Sequence, residues 1–317
     1  MKKRIISVLL ATVFALSVIG CGTKDTKEQD AYRQYGITCM ESGKYEDAVK
    51  AFQNALGESI GHIGEKELDI CFYKAKAQAL DGKTKDALAT YDAIIKYNKD
   101  ARAYYLRGDL YMDMGEEKKG KADFESAVQH GKKNYEIYIG IYESLSRHEK
   151  KDEGQKYLSA AMEIKGDKPE DELYKGRISY LLGENKDAIS YLEKAKEHKQ
   201  MLASYYLGLA YDANGDSDKA KKCIAEYIKS GVATSYDLYE LGMQEMQDGN
   251  YKNALTYFNF GLELEKVPNK QNLMKSAIAA YEYSGDFDSA KKMMKEYLKA
   301  YPDDEEAKHE NTFLETR

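Results

Sequence analysis

A chain of 317 residues with 48 lysines and arginines against 54 aspartates and glutamates carries a net charge of −6, and its lysines and glutamates alternate instead of clustering. Without a basic block, neither nucleic acid binding nor electrostatic attraction to lipid headgroups is supported. Three prolines, no tryptophan and few strand-like runs point to an all-α protein, long enough for two globular domains or for one repeat array.

The first predicted element is a leader. Lys2, Lys3 and Arg4 precede an apolar run from Ile5 to Ile19, which ends in Val18-Ile19-Gly20-Cys21. Fifteen residues are short for a spanning helix, which needs about 20. A small residue directly before a cysteine at the end of such a run resembles the lipobox of a bacterial lipoprotein. The resemblance implies a signal peptide over residues 1–20, a lipidated Cys21 as first mature residue, and an extracytoplasmic, membrane-anchored protein. Cleavage there would shift the charge balance to −9, since it removes three basic and no acidic groups. Residues 21–30 then read as a short polar linker, and 31–317 as the folded part.

From there a small residue recurs: Ala48, Ala87, Gly120, Gly154, Ala188, Ala220, Ala254 and Ala290. Each is followed four positions later by a large one: Phe52, Tyr91, Phe124, Leu158, Leu192, Ile224, Phe258 and Met294. The intervals between small residues are 39, 33, 34, 34, 32, 34 and 36. Five residues before the small position stands a glycine in seven units: Gly43, Gly82, Gly115, Gly183, Gly215, Gly249 and Gly285.

In the copy from Ser204 to Ile228, Tyr205, Gly208 and Tyr211 keep helical spacing, Gly215 breaks it, and Ala220, Ile224 and Tyr227 resume it. Gly215 suits the left-handed residue past a helix end, and Asp216 or Ser217 the next N-cap. The spacing predicts a helical hairpin with Gly208 and Ala220 at the crossing and Ile224 in the groove beside it. Such a hairpin cannot bury its apolar face alone, so neighbours must stack.

These residues resemble the tetratricopeptide repeat over about residues 31–302, eight copies nearly in register. The resemblance implies a right-handed superhelical solenoid whose first helices line a concave, partner-binding face. The fourth copy departs from the pattern, with Tyr142 at the first small position and Glu149 at the turn glycine. The second has Ala75 and the eighth Ile278 at that first position. After Pro302, an acidic start followed by Ala307, Phe313 and Leu314 predicts a capping helix.

No residue pattern announces chemistry. Besides Cys21, the cysteines Cys39, Cys71 and Cys223 form no CxxC pair; they read as small core residues, with a Cys39–Cys71 disulfide the alternative. His62, His130, His148, His198 and His309 are scattered, and no HExxH, nucleophile elbow or phosphate loop occurs. The expectation is a non-enzyme without metal or cofactor.

If the family geometry holds, the concave stripe of the first four units is mixed and polar, for example Asp30, Arg33, Asp69, Glu136 and Glu143. It turns apolar in unit five (Leu173, Arg177, Tyr180), unit six (Leu202, Tyr205, Leu209) and unit seven (Tyr236, Tyr239, Met243, Met246). Contiguous apolar surface of this kind suits a protein or peptide partner; burial by superhelical curvature is the alternative. Arg33, Lys76 and Arg102 sit loosely where some tetratricopeptide domains clamp a C-terminal carboxylate, but Ile37 replaces the expected asparagine. Function is thus expected to be a membrane-anchored scaffold for a protein partner, or else a receptor for a short peptide.

Overall fold

The computed structural model describes residues 27–59, 63–166 and 168–316. The leader and Cys21 lie outside the described residues, as does His62. Seventeen helices and no strand occur among the described residues. Repeat one is α1 (Lys27–Glu41) and α2 (Tyr45–Gly57), repeat two α3 (Glu65–Leu80) and α4 (Thr84–Asn98), and repeat three α5 (Ala101–Asp113) and α6 (Glu117–His130). Repeats four to six are α7 (Tyr135–Arg147) with α8 (Lys151–Met162), α9 (Pro169–Leu182) with α10 (Asn185–Glu197), and α11 (Leu202–Ala213) with α12 (Ser217–Lys229). Repeats seven and eight are α13 (Ser235–Gln247) with α14 (Tyr251–Glu263) and α15 (Lys270–Tyr283) with α16 (Phe287–Ala300), followed by α17 (Glu305–Glu315). The chain is an all-α array of helical hairpins. It divides into two compact units, one ending at Val232 and one running Ala233–Arg317.

Helix α1 starts at Lys27 and so takes in the last four residues of the expected linker. Gln29 explains this: it is buried, and its amide donates to Ser59 at 2.7 Å and Glu67 at 3.0 Å, tying the first turn to repeat two. A buried amide with its bonds made stabilises the turn that carries it.

Within the hairpins one steric rule repeats. A Cβ added to Gly36 would lie 2.6 Å from the Phe52 ring, and one on Gly176, Gly208 or Gly242 would lie 2.4, 2.4 or 2.3 Å from Leu192, Ile224 or Phe258. The first-helix glycine is therefore the seat of the large residue sixteen positions later. Repeat four departs from this rule. Tyr142 stands at the first-helix position, while Leu158, sixteen residues later, remains large and fully buried. The small Gly154 of α8 lies against Tyr142, where an added Cβ would meet the Tyr142 backbone at 3.1 Å, so close approach at this crossing rests on the second-helix glycine.

The turns are equally regular. Gly215 adopts φ +84°, and Asp216 then caps α12 by accepting from the Lys219 amide. In repeat four the same left-handed conformation is forced on Glu149, at φ 61°. A left-handed non-glycine residue costs about 1–2 kcal/mol. Glu149→Gly, at this exposed turn, should therefore stabilise the protein by roughly 1 kcal/mol after the extra freedom of glycine in the unfolded chain is subtracted. An unchanged or lower urea midpoint would contradict this.

The expected terminal helix forms as α17, and Asp304 caps its N-terminus. Asp304 accepts from the Ala307 amide at 3.1 Å and also receives Lys275 Nζ at 2.7 Å and Tyr297 Oη at 2.5 Å, which hold its carboxyl well below the usual range. Ala307 and Leu314 are buried against α15 and α16, but Phe313, expected to share their face, is exposed. Phe313 is adjacent to Leu314, so a helix burying one turns the other roughly 100° away.

Candidate functional site

The first helices of neighbouring repeats touch, α5 with α7 and α9 with α11 in the first unit and α13 with α15 in the second. Their stripe is where function was expected. In its early repeats the stripe is cross-linked by ion pairs. Arg33 Nη2 meets Asp69 at 2.6 Å, Lys66 meets Asp30 at 2.9 Å, and Arg147 Nη2 meets Asp109 at 2.6 Å. Opposite charges spaced near one repeat length are the sequence signal for these bonds.

Arg177, one of the expected contact residues, belongs to this network. It donates to Glu143 at 2.9 Å and approaches Glu136 at 3.4 Å, and its guanidinium lies 5.5 Å from the Tyr206 ring centroid. Burial opposes its charge, but Tyr206, Glu136 and Glu143 outweigh that and hold its pKa above the ordinary value. Burial pushes the Glu143 carboxyl up, and Arg177 partly offsets this. Arg177 already has its carboxylates.

Arg102 stacks over Phe72 at 4.3 Å and Arg33 over Tyr73 at 5.2 Å, so neither offers the open fork a carboxylate clamp needs. Lys76, half-buried on the same face of α3, has its pKa lowered by desolvation, and no ion pair engages it among the described residues.

Asp109, Asp113 and His148 bring potential ligand atoms within 4.8 Å of one another, and His148 Nε2 lies 3.1 Å from Asp113. Asp109 already faces the Arg147 cation, so ion pairing accounts for the cluster. The sequence separation of the histidines hid the proximity. Cys39 and Cys223 are buried, Cys71 is half-buried, and all three are free thiols.

The apolar candidates divide by burial. On α9, Leu173 is buried with Ala188, Leu192 and Leu207, and Tyr180 packs half-buried against that cluster. On α11, Leu202 and Leu209 are half-buried, whereas Tyr205 is 9% exposed, with its ring 5.1 Å from Tyr206 and 5.3 Å from Tyr227. Leu173 and Tyr205 are core residues of the first unit, with little surface left for a partner.

In the second unit, α13 presents Tyr236, Tyr239, Met243 and Met246, all half-buried. Tyr239 lies 6.2 Å from Phe258, and Ser276 of α15 points its hydroxyl at Met243 Sδ, 3.6 Å away. One edge of Tyr239, Met243 and Met246 rests on the Ala254, Phe258 and Leu273 cluster and the other faces solvent.

In repeat eight the stripe ends on Glu282. Burial, then the charge of Glu310 on α17, raise its pKa from 4.5 to about 6. The folded state thus binds this proton more tightly than the unfolded chain, so the associated stability is present below about pH 4.5 and lost as pH rises through about 6. Glu282→Gln should remove that loss: the fall in melting temperature between pH 5 and 7 should shrink in the variant. An unaltered pH profile would refute the assignment.

Tetratricopeptide repeat models match residues 36–95, 101–129, 202–230 and 271–304, that is repeats one to three, six and eight. Geometry and matches together support the tetratricopeptide repeat family. Repeats four, five and seven lie outside the matched segments, and repeat four is the one with Tyr142 at the first small position. No curated protein matches the chain. Among solved structures, a tetratricopeptide repeat protein from Parabacteroides merdae aligns over 80% of this chain and 99% of its own at 12% identity, with a TM-score of 0.47. PilW, a type IV pilus biogenesis factor, aligns over 78% of this chain and 99% of its own at 16% identity and a TM-score of 0.43. The Cut9–Hcn1 hetero-tetramer of the APC/C aligns over 90% of this chain and 55% of its own at 15% identity and a TM-score of 0.45.

Proposed function

We propose that this protein is a lipid-anchored scaffold on the outer face of the cell membrane, without catalytic activity, that holds a protein partner on its first helices. Tetratricopeptide repeats generally mediate protein–protein interaction, which supports the class of function. The observation that supports this reading is the half-open face of α13, where Tyr239, Met243 and Met246 are each only partly covered by the helices packed against them. Tyrosine supplies rigid contact area with a polar tip, and methionine adapts to an irregular partner. A photo-crosslinking residue at Tyr239 or Met243 should capture a partner of defined mass, and the same residue at the exposed Lys252 on α14 should not. Equal capture at all three would exclude this face. Adducts of only peptide mass would favour the alternative, a receptor for a short peptide.

Anchoring rests on the Gly20-Cys21 junction behind its basic and apolar leader. No helix among the described residues is long and apolar enough to cross a membrane. Two or more acyl chains on Cys21 would hold the protein stably, where one gives marginal binding. Mass spectrometry of the membrane fraction should find a chain starting at Cys21 with diacylglycerol attached. Cys21→Ser should release the chain or leave the leader uncleaved; an unchanged membrane-bound mature product would reject the anchor.

A further inference from the structure

We infer that the outer face of α1, carrying Tyr32 and Tyr35, seats on the membrane interface beside the lipid on Cys21. This inference rests on the anchoring proposed above. In repeats four and six the corresponding face is covered by the repeat before it. Tyr32 stands four residues and Tyr35 one residue before the small crossing position. In repeat four those positions are Tyr138 and Ile141, and in repeat six Ser204 and Leu207; all four are buried. Ile141 packs with Phe124 and Ala127 of α6, and Leu207 with Ala195 of α10, each in the preceding repeat. Among the described residues nothing precedes α1, and Tyr32 and Tyr35 are 37% and 57% exposed. A solenoid end normally carries a polar outer face. This one keeps two aromatic rings, with Ala31 exposed beside them.

The occupant follows from the tether. Six residue steps join Cys21 to Lys27, the first residue of α1, and even fully extended they span at most about 20 Å. An acylated Cys21 therefore confines this end of the array to the neighbourhood of the bilayer surface. Tyrosine suits that layer, since its ring sits at headgroup level while its hydroxyl stays hydrated. The exposed Lys27 at the start of the helix is outnumbered by the exposed Glu28 and Asp30 beside it, so this end carries no net positive charge and the seating is aromatic and not electrostatic. Two tyrosines alone would bind weakly; the tether raises their effective concentration at the surface.

The chain has no tryptophan, so a single substitution gives a clean fluorescence reporter. Full-length acylated protein carrying Tyr35→Trp should be reconstituted into phosphatidylcholine vesicles, with Met201→Trp, exposed at the start of α11 at the other end of the same unit, as control. The Tyr35→Trp protein should show blue-shifted emission, quenched by brominated-chain phosphatidylcholine and insensitive to salt, and the control should show neither effect. If the acyl mass and flotation with vesicles are confirmed but the two proteins emit and quench alike, the docking is overturned while the anchor stands. If the acyl mass is missing and the chain stays in solution, the anchor fails and the docking with it. A blue shift without vesicles that grows with protein concentration would assign the face to a second copy and overturn the membrane docking.

Discussion

Phe258→Ala should destabilise the protein by about 3–5 kcal/mol, the largest effect expected of any single truncation here. Its ring is fully buried and fills the seat left by Gly242, where even an added Cβ would come within 2.3 Å. Because the glycine backbone cannot move in to refill that seat, the cavity remains and its cost adds to the lost burial. Lys252→Ala, on the exposed side of the same helix, should stay within about 0.5 kcal/mol of the parent. Urea unfolding of both variants checks this, and equal midpoints would mean that the hairpin is packed differently.

Tyr205→Ser and Met243→Ser should part company. Tyr205 is buried between Tyr206 and Tyr227, so its loss should lower stability by roughly 2–4 kcal/mol. Met243 is half-open, so its loss should cost about 1 kcal/mol of stability. Capture of the partner at Tyr239 should nevertheless weaken by about thirtyfold if Met243 is an interface anchor worth about 2 kcal/mol. Thermal melts together with photo-crosslinking yields would show this. If Met243→Ser melted like Tyr205→Ser and left capture unchanged, α13 would be core and the partner would have to lie elsewhere.

Much of this protein is legible in the chain. The repeat period, the crossing pair Gly208 and Ala220, the groove residue Ile224 and the Asp216 cap are local or nearly so, set by helical periodicity, glycine conformations and side-chain volume within one hairpin. Hence the all-α array and the terminal helix are readable without coordinates. The steric logic survives in repeat four, where the small Gly154 lies against Tyr142 and Glu149 takes the glycine's left-handed turn.

Only the tertiary structure decided what each stripe residue faces. Tyr205 and Tyr239 sit at equivalent positions in their helices, yet one is core and the other half-open, because exposure depends on the side chains that neighbouring helices send against each ring. Arg177 reads as a contact residue until Glu136 and Glu143, a repeat away, are seen to hold it. Ala307, Phe313 and Leu314 all read as cap residues until α17 is seen to bury Ala307 and Leu314 and leave Phe313 exposed. In each case the deciding partner lies on another helix, so helical periodicity within one segment cannot reveal it.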